Sequence, residues 1–343
     1  MAFYRCGGDS KPTTLIDGVE TEQDIKLESL GASFVAAEDL TEYGFTCGET
    51  IKRDTRYVCY MLNTWFCFTK SYAYKYESSG WTKICAVPTE FLIKAATFDS
   101  SRHRAYILCE KSSDDTWSTS STYYLYKFDC SSFTLLHTFS NLFCANNSAG
   151  SIWLDDDGNN IHIYKERFAS GGNSSGIRPY YSAEWKYTIS SDTVTQVCLM
   201  PSYFSSLVHA VYGGQVHLIG TTSGSANVHY KKNINDTSFT LLDDTPPYLG
   251  RWYEVTSDGK YIYVYYQSGI INHHIYRYDN VDWIDVKLHK YNVQYNRQFF
   301  YEKKKNKLYS WRYYPSNLNS TDSSYPGDEG RLYEFIDNVY RKV

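Results

Sequence analysis

Short runs of alternating apolar and polar residues recur along the chain and are most regular between residues 251 and 287. Four strand-like runs follow one another there, at 252–256, 261–266, 275–278 and 283–286. Asp258 and Gly259 separate the first two runs, and this pair favours a tight hairpin because both turn positions require a positive φ angle. Four antiparallel strands in about forty residues are the size of one propeller blade, which cannot bury both of its faces alone. The pattern therefore predicts that the unit repeats.

A pair of bulky apolar residues, usually aromatic and five positions apart, marks the repeat. In the most regular copy Tyr278 precedes Asp279 and then Trp283, and in another copy Phe128 precedes Asp129 and then Phe133. The copies lie about fifty residues apart, which suits one blade each. They begin at Tyr76, Phe128, Tyr187, Ile234, Tyr278 and Phe335, and the copy at Tyr187 lacks the second aromatic residue.

The order that the copies share is an aromatic-x-aromatic run with an acidic residue, then Trp or Phe, then a short strand that in two copies ends near Pro88 or Pro201. This order resembles the second half of a kelch-type repeat. The resemblance covers residues 55–343 and implies an all-β, six-bladed β-propeller of four-stranded antiparallel blades. The paired glycines that the kelch family carries after the second strand are missing, since Gly213 and Gly214 precede the predicted strand instead. We therefore expect a divergent kelch-like propeller and carry over no partner from the family.

Residues 1–54 precede the first predicted blade and are interpreted as an N-terminal extension. The segment is too short and too weakly apolar to form a core of its own. It would pack on the propeller, contribute strands that close the ring, or attach the protein to a larger assembly. Its opening residues, Phe3 to Gly8, are similar to the openings of structural proteins of phages and prophages.

Composition narrows the class of protein. Propellers use a length of 343 residues for one domain, and a content of 17% aromatic residues suits half-buried strands. The net charge of −4 argues against nucleic-acid binding, and no apolar run is long enough to span a membrane. The N-terminus lacks the apolar core of a secretory signal, and the nine cysteines include no C-x-x-C pair. We expect reduced thiols, synthesis in the cytoplasm without a signal peptide, and association with a virion.

No stretch of the sequence carries a recognisable catalytic, cofactor or metal motif. The Ser-x-Asp-x-Gly-x-x-Trp turn typical of sialidase propellers is not matched, because residues 112–117 have the wrong order. The run from Asp155 to Asn159 resembles a calcium loop but lacks the downstream bidentate Glu, and we interpret it as a hairpin turn. We expect no cofactor, no metal and no enzymatic activity.

Three long connections between predicted second and third strands, at 110–122, 167–180 and 314–330, would lie on one face of a propeller. Long loops on a rigid scaffold are where function usually resides. Aromatic rings beside carboxylates suit sugar stacking or a protein partner. The candidate binding residues in or beside these loops are Trp117, Arg178, Tyr180, Tyr314 and Tyr325, together with Asp114, Asp115, Asp322 and Asp328.

These observations lead us to interpret the chain as a non-enzymatic recognition module. The preferred hypothesis is a phage or prophage structural or receptor-binding protein that contacts a bacterial surface glycan or protein. Two alternatives stay open: a carbohydrate-active enzyme that uses loop carboxylates, and an intracellular scaffold for another protein. None of the three involves nucleic acid or insertion into a membrane.

Overall fold

A computed structural model describes residues 4–5, 13–16, 19–22, 32–36, 55–88, 91–111, 121–143, 151–168, 180–200, 204–222, 227–243, 245, 253–268, 272–286, 295–313 and 330–337. Every regular element within these ranges is a β-strand. In the same ranges there is no helix of the length and apolarity that a membrane span requires. The expectation of an all-β fold is confirmed.

The first four strands precede the main repeat. They are β1 (Tyr4–Arg5), β2 (Thr13–Ile16), β3 (Val19–Glu22) and β4 (Ala32–Ala36). The first three form a small antiparallel sheet of their own, in the order β1-β2-β3.

Six four-stranded antiparallel sheets follow, numbered sheet 1 to sheet 6 in chain order. Sheet 1 contains β5 (Tyr57–Met61), β6 (Thr64–Phe68), β7 (Tyr72–Glu77) and β8 (Gly80–Ala86). Sheet 2 contains β9 (Phe91–Asp99), β10 (Arg104–Lys111), β11 (Ser121–Phe128) and β12 (Phe133–Phe143). Sheet 3 contains β13 (Ser151–Leu154), β14 (Asn160–Phe168), β15 (Tyr180–Thr188) and β16 (Thr193–Leu199).

The second half of the chain continues the same meander. Sheet 4 contains β17 (Phe204–Tyr212), β18 (Gln215–Thr222), β19 (Asn227–Asn233) and β20 (Thr240–Leu241). Sheet 5 contains β21 (Tyr253–Ser257), β22 (Ile262–Ser268), β23 (Asn272–Tyr278) and β24 (Trp283–Val286). Sheet 6 contains β25 (Tyr295–Glu302), β26 (Lys307–Tyr313), β27 (Gly330–Asp337) and, as its fourth strand, β4.

Apolar side chains fill the gap between each sheet and the next, so that six core clusters join the sheets into a ring. Strand β6 shows how one sheet serves two neighbours. On one side Phe68 meets Phe128 of sheet 2 edge-on, with ring centroids 5.1 Å apart. On the other side Trp65 meets Tyr309 of sheet 6, again at 5.1 Å. Side chains alternate between the faces of a strand, so each sheet buries both faces only within the ring. The six-bladed β-propeller is confirmed.

The N-terminal strand β4 completes the last sheet. It pairs antiparallel with β27, and Phe34 lies opposite Phe335. The sequence pattern had predicted that residues 339–343 would supply this fourth strand, but those residues lie outside the described ranges and the position beside β27 is occupied by β4. The pairing hydrogen-bonds backbone groups that the outer side of β27 would otherwise leave unpaired.

The aromatic repeat of the sequence is the turn between the third and fourth strands. Phe128 lies directly opposite Phe133 across this turn in sheet 2, and Tyr278 lies opposite Trp283 in sheet 5. In both pairs the ring centroids are 5.0 Å apart. Such cross-strand aromatic pairs stabilise an antiparallel sheet. The weaker copy at Tyr187 lies opposite Val194.

Candidate functional site

The first strand of each sheet is the innermost, and these six inner strands surround the centre of the ring. They are β5, β9, β13, β17, β21 and β25, and neighbouring inner strands contact one another around the circle. We call the side of the ring on which the inner strands begin the upper face. The second strands end on this face and the third strands begin on it, because the sheets are antiparallel.

The strands that flank the three long loops end and begin on the upper face, whereas the loop residues themselves are not described. Trp117, Asp114, Asp115, Arg178, Tyr314, Tyr325, Asp322 and Asp328 all lie outside the described ranges. Tyr180 is described only in its backbone, as the first residue of β15, which places it at the upper end of sheet 3. The proposed role of these nine residues therefore stays a prediction.

Polar groups from three sheets gather where the inner strands begin, and we call Tyr57, Lys94, Glu110 and Glu254 the channel mouth. Tyr57 is the first residue of β5, Glu254 is the second residue of β21, and Glu110 is the last but one of β10. The Tyr57 hydroxyl reaches across to sheet 2 and donates a hydrogen bond to the carbonyl oxygen of Lys94 at 3.2 Å.

A β-bulge positions Lys94 within the channel mouth. Ala95 pairs with Leu108 and Ile93 pairs with Cys109, so Lys94 between them has no partner in β10. A bulge changes the direction in which the extra side chain points. The Lys94 ammonium forms an ion pair with the Glu110 carboxylate at 2.6 Å, and each side chain is at least four-fifths buried. These two charges therefore neutralise each other at the edge of the channel.

The same kind of bulge recurs in alternate sheets. Ser205 is skipped in the pairing of β17 with β18, and Arg297 is skipped in the pairing of β25 with β26. Together with Lys94 they lie in the first halves of the inner strands of sheets 2, 4 and 6. The inner strands of sheets 1, 3 and 5 pair with their second strands without such a shift. The channel is therefore built from two alternating kinds of inner strand.

Glu254 is the titratable group that the fold changes most in this region. Its neighbour Val255 packs toward sheet 4, whereas Thr256 accepts a hydrogen bond from the backbone N–H of Tyr301 in sheet 6 at 3.0 Å. Glu254 shares the side of Thr256 and therefore faces sheet 6, with Tyr57 beyond it. Burial raises the pKa of Glu254 to about 8, although the side chain keeps some accessible surface.

The charge of Glu254 also reaches Tyr57. Burial, followed by the Glu254 charge, raises the pKa of the Tyr57 hydroxyl well above its usual value. At neutral pH the channel mouth thus presents a neutral hydroxyl, a largely protonated carboxyl and a closed ion pair. Groups of this kind can donate hydrogen bonds to hydroxyl-rich ligands and accept them, and strongly shifted acids are common at functional sites.

Side-chain hydrogen bonds link the inner strands of neighbouring sheets. Gln298 of sheet 6 clamps Val58 of sheet 1, accepting a hydrogen bond from its N–H at 2.7 Å and donating one to its carbonyl oxygen at 3.1 Å. Ser151 of sheet 3 is hydrogen-bonded to His209 of sheet 4. Burial first, and then His162, lowers the pKa of His209 to about 3, so this ring stays neutral. A site built on such strands is preorganised.

Within the described ranges, no group of three metal-ligating side chains comes together. The run at Asp155 is the tight turn between β13 and β14, in which Gly158 adopts a φ angle of 75°. Asp155 accepts hydrogen bonds from the backbone N–H and side-chain amide of Asn160, at 3.0 and 2.7 Å. Its interpretation as a hairpin turn is confirmed.

The similarity of this chain to known proteins is confined to the fold. No protein-family model matches the chain, and no curated protein matches its sequence. The structure is similar to Trypanosoma rangeli sialidase, with a TM-score of 0.55 at 10% identity, over 90% of this chain and 58% of the sialidase. It is also similar to the SapL1 lectin in complex with alpha methyl fucoside, with a TM-score of 0.54 at 9% identity, over 79% of this chain and 92% of the lectin.

These similarities show a shared propeller and no more. The chain spans less than two thirds of the length of the sialidase, and identities this low carry no residue roles. The fold is shared with an enzyme and with a lectin, so the choice between catalysis and binding depends on the site. The kelch resemblance and the phage origin stay predictions.

Proposed function

We propose that this protein is a non-enzymatic glycan-binding propeller whose binding surface is the channel mouth together with the loops of the upper face. The observation that carries the proposal is the convergence of Tyr57, Glu254 and the Lys94–Glu110 pair from three sheets at the start of the inner strands. Sugars present hydroxyl groups in fixed directions, and a rigid set of hydroxyl and carboxyl groups matches them. Support also comes from the similarity to a lectin that was crystallised with a fucoside.

The biological setting of this proposal is the attachment of a phage or prophage protein to a bacterial surface glycan. Its basis is the opening stretch of the sequence and the predicted aromatic and acidic loop residues. The predicted loop residue Trp117 tests whether the loops share the site. We expect Trp117→Ala to weaken glycan binding, because a lost aromatic face removes a large apolar contact with a sugar ring.

A glycan array probed with the intact chain and two tyrosine variants tests the site. Tyr57→Phe removes the hydroxyl at the mouth, and Tyr301→Phe is the matched control, because the Tyr301 hydroxyl donates to Asn306 near the lower end of β25. We expect the wild type and Tyr301→Phe to bind the same glycans, and Tyr57→Phe to bind them about tenfold more weakly. Equal binding by both variants would move the site away from the mouth. An empty array together with an empty bacterial-cell pull-down would contradict glycan binding.

Glu254 favours a second candidate function, a carbohydrate-active enzyme. A carboxyl that stays protonated near neutral pH can donate a proton to a glycosidic oxygen, which is the role of the acid in glycoside hydrolysis. This carboxyl differs from the loop carboxylates that the sequence suggested. Turnover of chromogenic glycosides by the wild type, lost in Glu254→Gln, would establish the enzyme. We expect no turnover.

A further inference from the structure

At the channel mouth the Lys94 and Glu110 charges are paired with each other, whereas the Glu254 carboxyl is not paired with a described side chain. Lys94 is held by Glu110 at 2.6 Å, so the cation of this pair is already neutralised. Glu254 is different, because no described side chain forms an ion pair or a hydrogen bond with it and burial alone accounts for its raised pKa. Glu254 shares the side of β21 on which Thr256 accepts the backbone N–H of Tyr301 at 3.0 Å, so it faces sheet 6, and its charge acts on Tyr57 beyond. Glu254 is therefore a carboxyl that the fold desolvates without giving it a partner.

Such a carboxyl discriminates between ligands by charge. An anionic ligand finds no free cation among the four residues of the mouth, because Lys94 is already paired with Glu110, and its own charge opposes the ionisation of Glu254. A bare divalent cation needs several oxygen ligands, and the described residues bring no such group together. A neutral sugar leaves Glu254 protonated and forms no charge pair with it. An ammonium group supplies both a positive charge and up to three hydrogen-bond donors in one small headgroup.

We propose that the channel mouth selects glycans that carry a free amine, and that the Glu254 carboxylate pairs with the ammonium group. This inference rests on the proposed glycan-binding function and specifies its ligand. In the complex the ammonium offsets the cost of ionising Glu254, while the Tyr57 hydroxyl and the Lys94–Glu110 pair stay available to the neighbouring sugar hydroxyls.

Three pairs of methyl glycosides test the inference: those of glucosamine, galactosamine and mannosamine, each with its N-acetylated counterpart. Acetylation keeps the ring and removes the charge. Binding is measured by calorimetry at pH 6.5, where the free amine is protonated, with the methyl glycoside of glucuronic acid as the anionic probe. We expect the amine of at least one pair to bind about tenfold more tightly than its acetylated form, with glucuronate weakest.

Variants assign the preference to one side chain. Glu254→Gln is expected to bring the amine-to-acetyl ratio close to one, while Glu254→Asp retains most of it. The control is Glu77→Gln, an equal change of charge at the exposed last residue of β7. Thermal unfolding of each variant confirms that the ring is intact.

The possible outcomes separate the two claims. Acetylated or acidic sugars that bind as tightly as the amines, or a preference that survives in Glu254→Gln, would overturn the amine inference and leave the glycan function standing. Failure of every sugar, here and on the array, would overturn both.

Discussion

Asp129 and Asp279 occupy the same place in the turns that join the third and fourth strands of sheets 2 and 5. One Asp129 oxygen accepts the backbone N–H groups of Ser131 and Ser132, at 3.1 and 2.9 Å. An Asp279 oxygen accepts those of Val281 and Asp282, both at 2.9 Å. The residue after each aspartate adopts a positive φ angle, 71° at Cys130 and 76° at Asn280. The acidic position of the sequence repeat is thus a turn-forming residue.

We expect Asp129→Ala to lower the free energy of unfolding by about 1 kcal/mol, because two backbone donors lose the acceptor that caps them. Asp129→Asn should lose less, since the amide oxygen can still accept. The hydrogen bonds from Ser131 and Ser132 also lower the pKa of Asp129 to about 2, so the loss in the alanine variant should persist down to about pH 4. Urea denaturation measures both effects. Asp156→Ala, at another exposed aspartate, is the control, and an equal loss there would contradict the assignment.

At the residue scale, turns that are stabilised by nearby residues can be predicted from the sequence, whereas side chains whose properties depend on tertiary packing cannot. The Asp279 turn could be predicted because its donors are two and three residues away along the chain. Glu254 could not, because its pKa depends on how sheets 5, 6 and 1 enclose it. Its one sequence signal is an acid at the start of a strand that is otherwise aromatic and β-branched. The Lys94 bulge has no local signature at all.

At the scale of elements, a buried polar network fastens sheet 3 to sheet 4. Glu184 on β15 pairs with Lys232 on β19 at 2.8 Å, and both side chains are fully buried. The same carboxylate is hydrogen-bonded to His162 at 2.7 Å, and these donors keep its pKa below the usual value despite the opposing effect of burial. Lys232 also donates to the backbone carbonyl oxygens of Ile234 and Asp236, at 3.3 and 2.8 Å. The network fixes how β19 sits against β15.

We expect Lys232→Met to lower the free energy of unfolding by about 3–5 kcal/mol, because it leaves Glu184 charged in the core without its cation. Adding Glu184→Gln to that variant should restore part of the loss, since the amide carries no charge. A denaturation double-mutant cycle measures the coupling. Strictly additive losses from the two substitutions would show that the pair is not coupled.

At the scale of the whole molecule, the sequence predicted the number of sheets but did not predict which strand closes the ring. The anchors from Tyr76 to Phe335 count six sheets because each lies in, or directly after, the third strand of one sheet. Strand β4 has no aromatic repeat around it, and its partner β27 lies at the far end of the chain. Pairing between such distant segments leaves no periodic trace in a single sequence, so closure of the ring was one of three expectations for residues 1–54.

Acid should weaken the ring as a whole. The pKa of His217 is lowered to about 3 by burial and then by His229, and that of His209 is likewise about 3. Unfolded histidines bind a proton near pH 6.5, so the stability contributed by the two neutral rings is complete above pH 6.5 and is lost as the pH falls toward 3. Glu254 acts in the opposite sense, because its raised pKa makes folding more favourable as the pH falls from about 8 to 4.5.

Between pH 6.5 and 4.5 the unfolded chain therefore binds about one more proton than the folded chain through these three groups. We expect the free energy of unfolding to decrease by about 1.4 kcal/mol for each unit by which the pH is lowered. Denaturation at a series of pH values measures the slope. His217→Gln should flatten it, whereas His274→Gln, at a half-exposed ring on β23, should not. A slope that is unchanged in His217→Gln would contradict the assignment.

The pairing of β4 with β27 has a consequence for the order of events on the ribosome. Strand β4 leaves the exit tunnel before sheets 1 to 5 do, and its partner β27 leaves after them. Sheets 1 to 5 can assemble while translation continues, but β4 must wait until β27 has been synthesised before it can join its sheet. The pairing of β4 with β27 joins the most distant pair of strands in the described ranges and so carries the largest loop entropy among them, which makes closing the circle the natural final step of folding.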